Sequence, residues 1–207
     1  MPAAQPLLTR RTARTGPVLT LLPEVADFAL PLARTHEACG PARRTLALWI
    51  AARTTGPVLW LAPAWTRDRL HADGVLDWID PARLLFVHPR RPEDLLWTME
   101  EILRAGCVAL AVADLPGLPG LTQVRRMHLA AETGLREGGT AAIGLLVTPG
   151  RGGAPGVETR WSLAPDHTPG HNRWRLERLR ARTAPHKVWS VRRDGLSGPL
   201  SALHDRG

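Results

Sequence analysis

The chain has 207 residues, 44% hydrophobic and 22% charged, with 27 Lys and Arg against 19 Asp and Glu, and two cysteines. A chain of this length buries a real core without metal or disulfide staples, and the composition excludes a wholly disordered, collagen-like or disulfide-rich protein. The charge is uneven: residues 1–150 hold 16 basic and 14 acidic side chains, residues 151–207 hold 11 and 5. The basic last quarter predicts an acidic partner, nucleic acid or protein.

Residues 1–15 read as a loose arm, and Pro23 and Pro31 bracket at most a short helix. A strand is expected over Ala33–Cys39, ending at Gly40-Pro41. A helix over Arg43–Arg53 follows, with Leu46, Trp49 and Ile50 on one face. Pro57–Ala62 is a continuous apolar run, the mark of a strand buried on both faces. Thr66–Trp78 reads as a weaker helix and Arg83–Val87 as another strand. Pro92 opens the best helix, with Glu93 and Asp94 where acids suit the positive end of the dipole and Gly106 to close it. Cys107–Ala113 is a strand ending in Asp114, Gln123–Leu135 a helix, and Ala141–Val147 a strand.

Strand–helix–strand alternation with short connections predicts an α/β fold with a mostly parallel sheet flanked by helices. After Pro149 the texture changes. Arg151–Gly156 is a glycine-rich loop, and Glu158–Ala164, Arg173–Arg180 and Lys187–Arg193 alternate like half-exposed antiparallel strands. Leu179 breaks the alternation, which predicts a bulge or bend. The expected division is an N-terminal arm and short helix over 1–32, one domain over 33–193, and a tail over 194–207. No run of about 18 or more apolar residues is present, and Val18–Leu22 is too short for a signal-peptide core. The expected location is therefore cytoplasmic, with no membrane contact.

The order of elements resembles a RecA-type core. His36-Glu-Ala-Cys-Gly40-Pro41 resembles the strand entering a RecA phosphate loop, and Arg104–Asp114 the strand that carries the Walker B carboxylate. Arg180–Lys187, before Val188-Trp-Ser-Val191, is similar to the basic hairpin after the last RecA sheet strands. Within that superfamily, His36–Arg44, Leu84–Glu101 and Arg173–Arg182 look like the ImuA proteins, RecA-like accessory factors of mutagenic translesion synthesis distantly similar to the SulA division inhibitors. The resemblance implies a RecA-like scaffold. It also implies work with ImuB, an inactive Y-family polymerase homologue, with an error-prone polymerase, or with RecA itself.

The residues argue against catalysis. A phosphate loop needs G-x-x-x-x-G-K-[ST], so that backbone N–H groups cradle phosphates, a lysine neutralises them and a hydroxyl holds Mg²⁺. Here the stretch is Gly40-Pro41-Ala42-Arg43-Arg44-Thr45, shorter, without the second glycine and without the lysine. Asp114 keeps the place of the Mg²⁺-binding acid. The position where RecA proteins carry a water-activating glutamate falls in Trp60-Leu-Ala-Pro63-Ala-Trp65, which has no carboxylate. No cofactor is expected. The cysteines form no C-x-x-C pair, and no metal site is expected either; no serine sits in a G-x-S-x-G elbow.

The remaining candidate is the basic hairpin. Arg173, Arg175, Arg178, Arg180, Arg182 and Lys187 are expected to present positive charge on one face to a protein or to DNA, with Trp161, Trp174 and Trp189 among them. The short connections Leu115–Leu121 and Gly150–Gly156 stand where RecA has longer DNA-contacting loops. A DNA-dependent ATPase and a SulA-like division inhibitor are the alternative readings.

Overall fold

The computed structural model describes residues 16–22, 25, 27–193 and 200–203. The loose arm expected over 1–15 lies outside the described residues, as do 194–199 and 204–207 of the expected tail.

The core is a nine-stranded sheet. In chain order its strands are β3 (Arg34–Cys39), β4 (Val58–Leu61), β5 (Leu84–Val87), β6 (Leu110–Asp114), β7 (Ile143–Val147), β8 (Thr159–Pro165), β9 (Asn172–Ala181), β10 (Lys187–Arg193) and β11 (Leu200–Leu203). Across the sheet they lie in the order β11-β10-β9-β8-β3-β7-β6-β4-β5. The six strands from β8 to β5 are parallel, and β9, β10 and β11 add on antiparallel. This is the expected α/β architecture, a mostly parallel sheet flanked by helices with antiparallel C-terminal strands, consistent with a RecA-like core.

The parallel strands are buried on both faces, so their sequences are apolar throughout. One face packs α1 (Arg43–Ala52), with Leu46, Trp49 and Ile50 buried against Ala38, Trp60, Leu145 and Trp161. The other packs α3 (Pro92–Ala105) and α4 (Leu121–Arg136), with Leu95, Met99, Val124 and Met127 buried against Leu61, Ala113 and Leu146. α3 starts and stops where its end signals lie, Pro92 in the first turn and Gly106 left-handed at φ 58°.

Three expectations are corrected. The weaker helix over Thr66–Trp78 contracts to α2 (Ala72–Leu76). Residues 67–69 are exposed and offer no apolar stripe to dock a longer one. The short helix before Pro31 is replaced by two strands, β1 (Val18–Thr20) and β2 (Ala29–Pro31), paired antiparallel. Proline at 31 biases Leu30 toward extended backbone, and Phe28 is buried between Trp49 and Trp161, ring centroids 5.0 and 4.6 Å away. Residues 28–30 therefore belong to the core, not to an arm. The expected tail likewise contributes β11, paired to β10. The bulge expected near Leu179 is present: Arg160 pairs with Arg180 and Trp161 with Arg178, leaving Leu179 as the extra residue.

Candidate functional site

β3 delivers the chain into the turn Gly40-Pro41-Ala42 at the start of α1. Gly40 has φ 89°, and a Cβ there would meet Leu163 O and Ser162 Oγ at 2.6 Å, so the turn lies hard against β8. An anion cradle needs successive N–H groups aimed at one point. In this turn Gly40 N–H donates to Gly150 O (2.9 Å), Ala42 N–H to Leu163 O (3.0 Å) and Arg43 N–H to Gly40 O (3.2 Å), while Pro41 has no N–H. The cap residue Ala42 offers no side-chain oxygen. Thr45 lines a neighbouring cavity of about 340 Å³ walled by Trp78 and Trp174. The one arginine in that wall, Arg193, lies over the Trp78 ring at 4.2 Å and donates to Asp77 O.

Asp114 ends β6 beside α1, and its carboxylate accepts from Arg44 Nε at 2.6 Å. Burial pushes the Asp114 carboxyl up, and the Arg44 hydrogen bond and charge pull it back down. Arg44 also lies 4.0 Å from the exposed Asp68. The resemblance to a RecA phosphate loop would put a lysine near Arg44 and a magnesium-binding acid at Asp114; the fold brings these two residues onto each other. The segment after β4 contributes Ala62 to a second cavity, about 230 Å³, lined also by Trp60, Phe86, His88 and Asp114. These residues do not fit a magnesium nucleotide: the amides of the turn are committed and the acid is paired to arginine.

A carboxylate that sequence reasoning did not single out organises the next loop. Glu37, mid-way along β3, has no solvent exposure. It accepts from Thr148 Oγ1 (2.6 Å), from Gly153 N–H (2.8 Å), from Ala154 N–H (3.1 Å) and from Arg160 Nε. A Cβ on Gly152, φ 69°, would sit 2.6 Å from Glu37 Oε1. The glycine-rich loop therefore closes around an anion supplied by the protein itself. Its far end is held by His128 on α4: Nε2 donates to Gly156 O (3.1 Å) and Nδ1 accepts from Thr35 N–H (3.3 Å). Burial pulls the His128 imidazole down to about 4, which keeps that tautomer neutral. The available signal was an acid inside a buried strand with an arginine inside the strand beside it, since Glu37 and Arg160 are register partners.

The basic strands do not form one face. Period-2 alternation puts Arg178 on the side of Trp174 and Leu176, where it is buried with its guanidinium 5.7 Å from the Trp161 ring and 5.3 Å from the Trp189 ring. It donates to Pro185 O (3.0 Å) and Asp27 O (2.7 Å), which clamps the N-terminal segment to the C-terminal strands. Lys187 joins the same clamp through Asp27 Oδ2 at 2.7 Å. Trp161 and Trp174 are buried on this inner side, and Trp189 is partly buried there. Arg173 and Arg175 stand on the outer side, Arg180 is exposed beyond the bulge, and Arg182 pairs with Glu158 at 3.4 Å. Among the described residues no group of three His, Cys, Asp or Glu side chains converges on a metal position.

A scan against protein-family models finds no match for the chain, and no curated protein matches it.

Proposed function

We propose that the chain is a non-catalytic accessory protein on a RecA-like scaffold, serving error-prone translesion synthesis in the DNA damage (SOS) response. It bridges an ImuB-like Y-family polymerase homologue to an error-prone polymerase or to RecA, in the cytoplasm and without a cofactor. The observation that carries the non-catalytic part is the Arg44–Asp114 ion pair. Phosphoryl transfer is accelerated by positioning and charge stabilisation from a lysine, a metal and oriented amides. Here a cation of the chain occupies the acid, and three of the turn's donors serve its own carbonyls. What the fold retains is a rigid sheet with a basic C-terminal edge, a scaffold for contacts. No helix among the described residues is long and apolar enough to cross a membrane.

The test is a pull-down of the full chain against a Y-family polymerase homologue, an error-prone polymerase and RecA from the same cells. The expected result is stable capture of at least one, unchanged by added ATP. Capture of none, or capture that requires ATP hydrolysis, contradicts the proposal.

A further inference from the structure

The outer side of β9 and β10 is built differently from the inner one. α3 and α4 lie over β3, β6 and β7, and beyond them Arg175 and Val188 are exposed. At the centre of this surface sits Glu177, nearly buried, ringed by three donors: His186 Nε2 at 2.7 Å, Arg175 Nη1 at 2.9 Å and Arg151 Nη2 at 3.4 Å. The His186 hydrogen bond holds its carboxyl below the usual carboxylate range, helped by Arg175 and Arg151. One carboxylate therefore sits under more positive charge than it neutralises. Two positions before Arg175, Arg173 has a buried Nε without a hydrogen-bond partner and a 4.0 Å contact to Asp166. Between the arginines the neighbouring strands present small side chains, Ala164 and Ser190 as register partners of Arg175, and Arg175 is exposed.

We infer that this surface, centred on Arg151, Arg173 and Arg175, docks an acidic polypeptide segment of a partner protein. The inference deepens the interaction-protein reading above and rests on it. Guanidinium groups favour carboxylate partners, and Glu177, a carboxylate of the chain itself, already takes one nitrogen of Arg175 and one of Arg151. Nucleic acid fits less well. Trp161, Trp174 and Trp189, the candidates for stacking bases, lie on the opposite side of the sheet.

The test uses the full chain, fluorescence anisotropy and three named probes: a labelled octaglutamate peptide, oligo-dT and a DNA duplex. R173E/R175E reverses the strand arginines, R151E the loop arginine, and R90E/R125E makes the same charge change at exposed sites elsewhere. The expected result is peptide binding tighter than either DNA, weakened about tenfold or more by R173E/R175E, several-fold by R151E, and by about twofold or less by R90E/R125E. Equal losses in the two double variants reduce the effect to net charge and overturn the inference. No peptide binding overturns it too, as does tighter DNA binding lost with the same arginines. The loop variant keeps the question answerable if the strand variant misfolds. Mg-ATP hydrolysis measured on the same preparations separates the two claims: hydrolysis overturns the non-catalytic reading whichever way the peptide result falls.

Discussion

Two glycine-bearing turns meet at the ends of neighbouring parallel strands, and only one of them holds an anion. The turn after β3 has one glycine, and its amides end on carbonyls of Gly150, Leu163 and Gly40. The loop after β7 has Gly150, Gly152, Gly153 and Gly156, all at positive φ, and wraps two successive amides around Glu37. Glycine frees successive N–H groups to point the same way; a proline and an alanine at the equivalent places do not. The molecule thus keeps the chemistry of an anion cradle but spends it on its own carboxylate, as a structural clasp. Beside the first turn the same substitution recurs, Arg44 standing on Asp114.

Breaking the filled cradle is predicted to cost most. Glu37→Ala leaves Arg160, Thr148 and two loop amides without their acceptor, and urea unfolding should show a loss of about 3–5 kcal/mol. A loss below about 1 kcal/mol would mean that the clasp contributes little.

Acid reaches the same clasp from its other end. Burial holds His128 down to about 4 and His36 down to about 3, while both titrate near 6.5 in the unfolded chain. Below about 6.5 the unfolded state binds more protons, so stability is full above that value and falls as pH drops toward 4 and then 3. Unfolding measured at pH 7 and pH 5 should differ by about 2–4 kcal/mol, with the acid side weaker. A flat profile would place both imidazoles in contact with water.

The smallest effect comes at β9, where one strand also holds a committed cation and an outward one. Arg178→Ala removes two hydrogen bonds to carbonyls and the contact with two tryptophans, and should destabilise by about 2 kcal/mol. Arg175→Ala, at a half-exposed ion pair, should change stability by about 0.5 kcal/mol or less. Equal effects would erase the distinction between the two sides of the strand.

Much of the fold was legible because buried parallel strands are written as unbroken apolar runs, as in Val58–Leu61 and Leu110–Asp114. α3 was legible from its end signals and the bulge from the break at Leu179. The N-terminal strands were not, because Phe28 is fixed by Trp49 and Trp161, far away in sequence. At the site, Gly40–Thr45 and Asp114 were found where expected, yet their meeting through Arg44 is a tertiary fact. Arg178 carries two opposed signals: its parity places it with Trp174, but an arginine is ordinarily solvated. Glu37 is hard to read from sequence because its partners come from positions 148–160, which no local pattern connects to position 37.

We propose that the turn Gly40-Pro41-Ala42 and the Arg44–Asp114 pair leave no site for a nucleotide. Calorimetric titration of the full chain with Mg-ATP is the decisive experiment. No binding heat is expected from the chain. Saturable binding that is lost in Asp114→Asn overturns the proposal.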